Sequence, residues 1–287
     1  MINPGLIFNE VLVRPIITVL VAIYHILFFL HVPYTLGFSI IVLTIVIRLI
    51  LYPFVSSQLK VSKKMQELAP HLSRLKNQHK GDSSRLQQET MKLYKEHNIN
   101  PAAGCLPVLF QIPIIWGLYS VLQQVVVLKQ VASLTYVNKL VFFDFLKLSK
   151  PWDVSFFGIP LGQQPKELYG SVGVLILLVP FITGFSQFIQ SKMMLPSAPK
   201  VPVKLRKEEK KKDISQDDFS SAFQSQSMYI FPVMIGFFSF TFAIGLSLYW
   251  NTFTIFGIIQ QYRLSGWGGL GSWKDKISGF TKILANK

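Results

Sequence analysis

The chain has 287 residues, half of them hydrophobic, and carries a formal net charge of +15 at pH 7. Its apolar residues form several stretches of about 18 or more, which soluble domains of this size do not sustain. These stretches are continuous rather than alternating, so a transmembrane β-barrel is disfavoured. A single cysteine excludes an internal disulfide and a cysteine-cluster metal site. The composition therefore predicts an all-α, polytopic membrane protein.

Residues 1–34 contain a hydrophobic segment, 7–30, which is interrupted by the charged residues Glu10 and Arg14. The uninterrupted part, 16–30, is short for a bilayer span, which needs ~20 apolar residues. We therefore expect an N-terminal amphipathic helix at the extracytoplasmic membrane surface, with a true span as the alternative. The segment lacks the basic region and cleavage site of a secretory signal, so the transmembrane segments are expected to direct targeting.

Residues 35–55 form the first predicted span, and Arg48 lies inside its apolar run. A guanidinium stays charged in a protein, and placing it near the middle of a membrane helix costs about 2.5–3.5 kcal/mol. Such a cost indicates that the charge meets water, a partner or a passing substrate. The alternative is that the long side chain reaches toward the membrane interface near Pro53.

Residues 56–100 are polar and are predicted to form a cytoplasmic helical hairpin. Apolar residues repeat at helical spacing on both arms, and a turn at Gly81 separates the arms. Ser84 and Gln87 have the spacing of a capping box, which would begin the second arm.

The remainder of the chain alternates between apolar and polar segments. We expect the second span at 101–124, an extracytoplasmic loop at 125–169, the third span at 170–191, a basic cytoplasmic linker at 192–226, the fourth span at 227–244, the fifth span at 245–263 and a basic cytoplasmic tail at 264–287. The loop is rich in phenylalanine and is expected to rest partly on the membrane surface. Lysine and arginine are concentrated in the hairpin, the linker and the tail. The positive-inside rule therefore places these three segments in the cytoplasm and the N-terminus outside.

Polar side chains within the predicted spans are candidates for a common cavity. Thr44 and Arg48 are four residues apart and share one helix face. The other candidates are Ser39, Gln111, Gln187, Gln190, Asn251 and Thr252. Each polar group in a membrane needs a partner, so these side chains either join helices or line a hydrated cavity. The five spans contain no acidic residue, and the motifs of intramembrane proteases are absent, so we expect no proton relay, enzyme activity, cofactor or metal.

Several segments resemble the YidC-type membrane protein insertases, the YidC/Oxa/Alb family. The matching runs are 37–53 (GFSIIVLTIVIRLILYP), 100–115 (NPAAGCLPVLFQIPII), 245–251 (GLSLYWN) and 258–261 (IIQQ). Two hairpin segments, LAPHL and ETMKLY, also match, and the similarity runs from about residue 8 to residue 263. The agreement of several motifs in order and spacing is more specific than any one of them.

The resemblance implies a fold with five core helices around a hydrophilic groove, closed on the outside and open to cytoplasm and lipid. Arg48 would be the groove arginine, with Thr44 one turn along the helix. Tyr249 and Trp250 would form an aromatic face that contacts the substrate, although Trp250 replaces a second tyrosine that some members carry. Residues 1–34 would be the external amphipathic helix of a short bacterial form that lacks the large extracytoplasmic domain.

The function that the resemblance implies is insertion and folding of newly synthesised proteins in the bacterial cytoplasmic membrane. The partners would be nascent membrane proteins, the lipid bilayer and the Sec translocon. The basic runs 204–212 and 274–287 would contact ribosomal RNA through its phosphates, or anionic lipid instead. A small-anion transporter that binds its substrate at Arg48 is the alternative function, although the inverted repeats typical of many transporters are not found.

Overall fold

The computed structural model describes residues 8–79, 81–100, 106–127, 130–194 and 216–271. Nearly all regular structure in these residues is helical. The α-helices are α1 (Arg14–Phe29), α2 (Thr35–Ile50), α3 (Tyr52–Glu67), α4 (Ala69–Gln78), α5 (Ser83–Glu96), α6 (Leu106–Leu122), α7 (Gln130–Leu140), α8 (Pro165–Val172), α9 (Leu178–Met194), α10 (Gln216–Thr241) and α11 (Ile244–Ser265). A short antiparallel sheet pairs β1 (Ser155–Phe156) with β2 (Ile159–Pro160).

Two of the described helical segments are long and apolar enough to cross a membrane, Asn9–Phe29 and Pro165–Met194. The helices α2 and α3, which are separated at Leu51, make a third if they count as one broken span. Shorter apolar helices cover Ile112–Val126 and Tyr229–Thr241. These helices agree with an all-α membrane protein, whereas the arrangement of five spans around a groove stays a prediction.

The N-terminal helix is longer than its uninterrupted apolar part. A π-helical turn at Asn9–Val13 continues directly into α1. The side chain of Arg14 pairs with Glu10 one turn earlier, which allows the helix to include both charges. By its length this helix suits a span as well as a position on the membrane surface, and the surface position stays a prediction.

The chain divides into two compact units. The first unit contains Met1–Tyr52, Val108–Ser186 and Met234–Phe256, and the second contains Pro53–Pro107, Gln187–Val233 and Gly257–Lys287. In the first unit α1 packs along α2. Ile17, Leu20 and Leu36 are fully buried in its apolar core, which also includes residues from the ends of α6 and α11.

The segment predicted as an extracytoplasmic loop is an ordered part of the first unit, and we call residues 130–163 the cap. Its helix α7 is fixed by Trp152, which is 1% exposed and donates to the Ser133 hydroxyl at 3.3 Å. Two main-chain hydrogen bonds join the cap to the start of α11. Gly245 donates to the Leu161 carbonyl at 2.8 Å, and Ile244 donates to the Gln163 carbonyl at 2.9 Å.

Close main-chain approaches explain two glycines in the first unit. A Cβ atom at Gly162 in the cap would overlap the main-chain carbonyl of Val126. A Cβ atom at Gly37 on α2 would overlap the ring of Phe156 in β1. Both glycines therefore let the cap pack directly on neighbouring backbone or helix surface.

The second unit contains the predicted hairpin, in which α4 contacts α5. A break at Leu68 separates α3 from α4, whose first turn contains Pro70. Proline is tolerated there because the first turn of a helix needs no hydrogen bond from its N–H. Gly81 joins the two arms with a φ of +93°, a left-handed conformation that glycine adopts at little cost.

The predicted capping box of the second arm is wrong. Helix α5 begins at Ser83, and its cap is Asp82, whose carboxylate accepts a hydrogen bond from the Arg85 main-chain N–H at 3.0 Å. Ser84 lies inside the helix. Aspartate caps a helix as well as serine does, and its negative charge also favours the helix N-terminus.

The remaining helices differ from the predicted spans mainly at their ends. α10 begins at Gln216, inside the segment predicted as a linker, and ends at Thr241. α11 then begins at Ile244, so the long apolar block of the sequence is divided into two helices. Positions 195–215 of the linker and 272–287 of the tail lie outside the described residues, as does Cys105.

Candidate functional site

Arg48 is buried between two helices of the first unit. It lies in the last turn of α2 and is 4% exposed. Its Nη2 donates a hydrogen bond to the main-chain carbonyl of Phe253 on α11 at 2.7 Å. The guanidinium carbon lies 3.4 Å from the centre of the Phe253 ring. Phe253 therefore holds Arg48 through both its carbonyl and its aromatic face.

The charge of Arg48 is only partly compensated. Neither of the ion pairs found among the described residues, Arg14–Glu10 and Lys147–Asp144, involves it. Its Nε is buried and has no hydrogen-bond acceptor in the described part of the chain. A buried donor without an acceptor costs about 1–3 kcal/mol, whereas a desolvated cation–π contact contributes about 2 kcal/mol. The site is thus a buried cation with one free donor, Nε, which favours an anionic ligand.

Tyr249 extends this contact along α11. It precedes Phe253 by one helical turn and is 1% exposed. The centres of the two rings are 5.9 Å apart. We call Arg48, Tyr249 and Phe253 the arginine cluster.

Thr44 lies one turn before Arg48 on α2 and is 1% exposed. Its hydroxyl donates to the Ile40 carbonyl of the same helix at 2.6 Å. The hydroxyl of Ser39 donates in the same way to the Thr35 carbonyl at 2.7 Å. These local bonds satisfy the hydroxyl donors of Thr44 and Ser39 within α2.

A second polar cluster joins α9, α10 and α11. The Asn251 amide donates to the Thr183 hydroxyl at 2.9 Å, and the Ser239 hydroxyl donates to the same oxygen at 3.2 Å. Ser239 also shares a hydrogen bond of 2.9 Å with Ser247. The Ser186 hydroxyl donates to the Asn251 side-chain oxygen at 3.4 Å. We call these five residues the hydroxyl cluster, and they hold three helices together through polar side chains.

Trp250 lines a small cleft beside the hydroxyl cluster, together with Thr183, Ser239 and Ser247. The cleft has a volume of about 20 Å³, which is enough for about one water molecule. Successive residues on a helix point ~100° apart. Tyr249 and Trp250 therefore occupy different faces of α11, although the sequence suggested one shared aromatic surface.

Small residues let α9 and α10 approach closely near this cleft. A Cβ atom at Gly236 on α10 would lie 3.3 Å from the Cα of Gly184 and from the carbonyl of Pro180 on α9. Such small-residue contacts are typical of packed membrane helices, because they bring two main chains together.

The predicted site residues thus fall into separate groups. Arg48 and Tyr249 belong to the arginine cluster, while Asn251 belongs to the hydroxyl cluster and Trp250 lines the cleft next to it. Gln187 is 8% exposed and belongs to the second unit. The side chain of Gln111 lies outside the described residues.

Residues 17–266 match the family model described as 60Kd inner membrane protein. The chain belongs to this family. The match covers most of the sequence and includes α2 and α11, which carry the arginine cluster. The resemblance to YidC-type proteins that the motifs indicated is confirmed.

Three relatives show how far the similarity extends. A membrane protein insertase YidC of Fusobacterium nucleatum is 31% identical over 226 residues, which cover 79% of this chain and 84% of the relative. A membrane protein insertase YidC of Rickettsia prowazekii is 29% identical over 231 residues, which cover 80% of this chain and 35% of the relative. The chloroplast inner membrane protein ALBINO3 of Arabidopsis thaliana is 31% identical over 252 residues, which cover 83% of this chain and 48% of the relative. The chain therefore spans most of the first relative and less than half of the other two.

Sequence reasoning about this member of the 60Kd inner membrane protein family missed several residues of both clusters. Phe253 was missed, although it follows Tyr249 by four residues, which places the two aromatic side chains one helical turn apart. The hydroxyl residues Thr183, Ser186, Ser239 and Ser247 were missed as well. Small hydroxyl residues inside apolar helices are the sequence signal for such interhelical contacts.

Proposed function

We propose that this chain is a membrane protein insertase that inserts newly synthesised proteins into the bacterial cytoplasmic membrane and helps them to fold. The family match and the names of the bacterial relatives support this function. The observation that carries the mechanism is Arg48, a buried cation without a carboxylate partner among the described residues. The mechanism involves no covalent chemistry and no cofactor.

The physical task of an insertase is to move a short polar segment across hydrocarbon. The apolar core of a bilayer is ~30 Å thick, and unsatisfied polar groups inside it are costly. A hydrated groove that extends partway into the membrane shortens the apolar distance that the segment must cross. We propose that this groove is lined by Thr44, Arg48 and Tyr249 of the first unit.

Arg48 is suited to bind an acidic residue of the client protein. Nε and Nη2 lie on one edge of the guanidinium, and this edge binds a carboxylate through two parallel hydrogen bonds. A client carboxylate would replace the Phe253 carbonyl at Nη2 and supply the acceptor that Nε lacks. At a distance of ~4 Å, opposite charges attract by about 4 kcal/mol when the effective dielectric constant is about 20.

The burial of Arg48 means that the structure represents the resting form in this proposal. With 4% exposure, the guanidinium is reached only after the contact with Phe253 opens. Phe253 thus acts as an internal substitute for the client, offering a neutral carbonyl and a ring where the client offers a carboxylate. This exchange gives the site a preference for acidic over neutral segments.

The apolar part of the client would leave the groove along exposed helix faces. Phe181 and Phe185 of α9 are 67% and 56% exposed, and Phe237 of α10 is 66% exposed. A client helix that packs on these faces moves from water toward lipid. The transfer is driven by burial of apolar surface, at ~25 cal/mol per Å².

The remaining partners belong to the same proposal. The basic runs 204–212 and 274–287 would bind phosphate groups of the ribosome, with anionic lipid as the alternative. The N-terminus would lie outside and the C-terminus in the cytoplasm, and the Sec translocon would cooperate with the chain for some clients.

Replacing Arg48 tests the mechanism in vesicles that contain the purified protein. We expect Arg48→Ala to reduce insertion of a single-span client with an acidic translocated tail by about tenfold, equivalent to ~1.4 kcal/mol. Insertion of a client with the same tail made neutral should fall much less. Arg48→Lys should give an intermediate loss, because lysine keeps the charge but not the two parallel donors.

Arg14→Ala is the matched control. Arg14 also lies over a phenylalanine ring, at 4.4 Å from Phe142, and donates to the Leu140 carbonyl at 3.1 Å, but it is paired with Glu10. Its loss should affect both clients equally. Normal insertion of the acidic client by Arg48→Ala would contradict the mechanism, and client-independent flux of a small anion that depends on Arg48 would favour the transporter.

A further inference from the structure

Three phenylalanine side chains of the cap form an exposed aromatic surface. Phe142, Phe143 and Phe145 are 46%, 53% and 79% exposed, and we call them the aromatic patch. The rings of Phe143 and Phe145 are stacked with centres 5.5 Å apart, and the rings of Phe142 and Phe143 are 6.5 Å apart. Exposed apolar side chains that are contiguous rather than scattered mark an interaction surface.

Hydrogen bonds between side chains of α1 and the main chain in and beside the patch hold it in place. The Phe142 N–H donates to the Thr18 hydroxyl at 3.2 Å. On the other side of the patch, His25 Nε2 donates to the Leu146 carbonyl at 2.9 Å. Arg14 donates to the Leu140 carbonyl just before the patch. The three rings therefore project from a segment that is fixed at both ends, so their exposure is built into the fold.

Further exposed phenylalanine side chains lie on α1, which is next to the patch. The 3₁₀ turn Asp144–Leu146 contacts this helix, and the C-terminal end of α1 exposes Phe28 and Phe29 by 62% and 81%. Two neighbouring elements thus present phenylalanine rings at the same part of the first unit.

The charged side chains around the patch are mostly lysines, which favours a phospholipid surface as its partner. Residues 139–150 contain three lysines, Lys139, Lys147 and Lys150, against one acid, Asp144. Lys147 is paired with Asp144, while Lys139 and Lys150 are exposed. Aromatic rings next to lysines match a bilayer interface, where rings enter the headgroup region and lysines meet lipid phosphates.

We propose that the aromatic patch is an interfacial anchor that inserts into the phospholipid headgroup region and fixes the cap at the bilayer surface. The anchor operates whether the N-terminal helix spans the membrane or lies on it, because the end of α1 is at the interface in both cases. It is also independent of the insertase mechanism, since it requires only that the chain resides in a membrane.

Such an anchor would fix the depth of the cap relative to the bilayer surface. The cap is joined to the start of α11 by the hydrogen bonds of Leu161 and Gln163. An anchor at the aromatic patch would therefore set the position of this end of α11 relative to the lipid surface.

A depth measurement tests the anchor in the full chain. The single cysteine, Cys105, is changed to serine, and Phe145→Cys or Phe143→Cys is labelled with an environment-sensitive fluorophore. The protein is placed in phosphatidylcholine–phosphatidylglycerol vesicles that carry nitroxide quenchers either near the headgroups or deep in the acyl chains. Ser149→Cys, an exposed position in the same segment, is the control.

We expect both phenylalanine positions to show blue-shifted emission and stronger quenching by the shallow nitroxide, as for a depth of about 5–10 Å. The Ser149 position should show water-like emission and weak quenching. Water-like emission at both phenylalanine positions would overturn the anchor. So would stronger quenching by the deep nitroxide, or a blue shift that appears only at high protein density, which would indicate a second copy of the chain as the partner.

Discussion

Replacement of Phe253 by leucine tests whether this residue competes with the client for Arg48. Leucine keeps an apolar side chain and the main-chain carbonyl that accepts the hydrogen bond from Nη2. It removes the aromatic face that lies 3.4 Å from the guanidinium carbon. We expect the variant to be less stable and yet to bind acidic clients more tightly, because the resting contacts of Arg48 are weakened.

The size of the effect follows from the burial of the contact. A cation–π contact contributes about 1–2 kcal/mol, with the larger value for a desolvated cation. Arg48 is 4% exposed, so the larger value applies. If the client must break this contact, removing it raises client affinity by the same free energy, which is about 30-fold.

The assay measures binding and stability on the same samples. The protein in lipid nanodiscs is titrated with a labelled single-span peptide that has an acidic tail, and then with the same peptide carrying a neutral tail. Thermal unfolding of each variant is recorded in parallel. Phe256→Leu is the matched control, since Phe256 is a partly buried residue further along α11.

Two results would refute the competition. Equal affinity of Phe253→Leu and Phe256→Leu for the acidic peptide would show that the ring stabilises Arg48 without excluding the client. An equal gain in affinity for the acidic and the neutral peptide would show that α11 is loosened in general, and not that Arg48 has become free to bind a carboxylate.

Two further predictions concern the packing of the first unit. Gly162→Ala should lower the thermal unfolding temperature, because the new Cβ overlaps a main-chain carbonyl. Gly170→Ala on α8 has open space and should keep or raise this temperature, because alanine is the better helix former. Unaltered stability of Gly162→Ala would contradict the close contact. In a double-mutant cycle, Asn251→Leu and Thr183→Val should show a coupling of about 0.6 kcal/mol and at most about 1.7 kcal/mol, the range for interhelical hydrogen bonds in membranes. The cycle is measured by unfolding in detergent mixtures, and additive effects would exclude the bond.

Local patterns in the sequence predicted the parts of the site that depend on one helix. The spacing of Thr44 and Arg48 placed them on one face of α2, and both are buried there. The absence of acidic residues in the spans predicts that Arg48 lacks a carboxylate partner within the membrane. Both inferences need only helical periodicity and composition.

Contacts between distant helices could not be predicted in the same way. Nothing in the sequence around Arg48 indicates that Phe253, far along the chain, supplies its acceptor. That Tyr249 contacts Phe253 whereas Trp250 lines the cleft depends on how α11 is rotated against its neighbours, which tertiary packing decides. The uninterrupted apolar length of the N-terminal segment predicts a helix shorter than the one found. The helix also includes Glu10 and Arg14, whose ion pair depends on the positions of both side chains.

The link between the cap and α11 consists of main-chain hydrogen bonds, from Gly245 to Leu161 and from Ile244 to Gln163. Such a link does not use the side chain of Gln163, which is exposed, so substitutions there should be tolerated during divergence. Leu161 is fully buried in the apolar core, and we expect this position to stay apolar. The register of the link depends on the number of residues between the two hydrogen-bonded positions, so insertions and deletions there should be selected against.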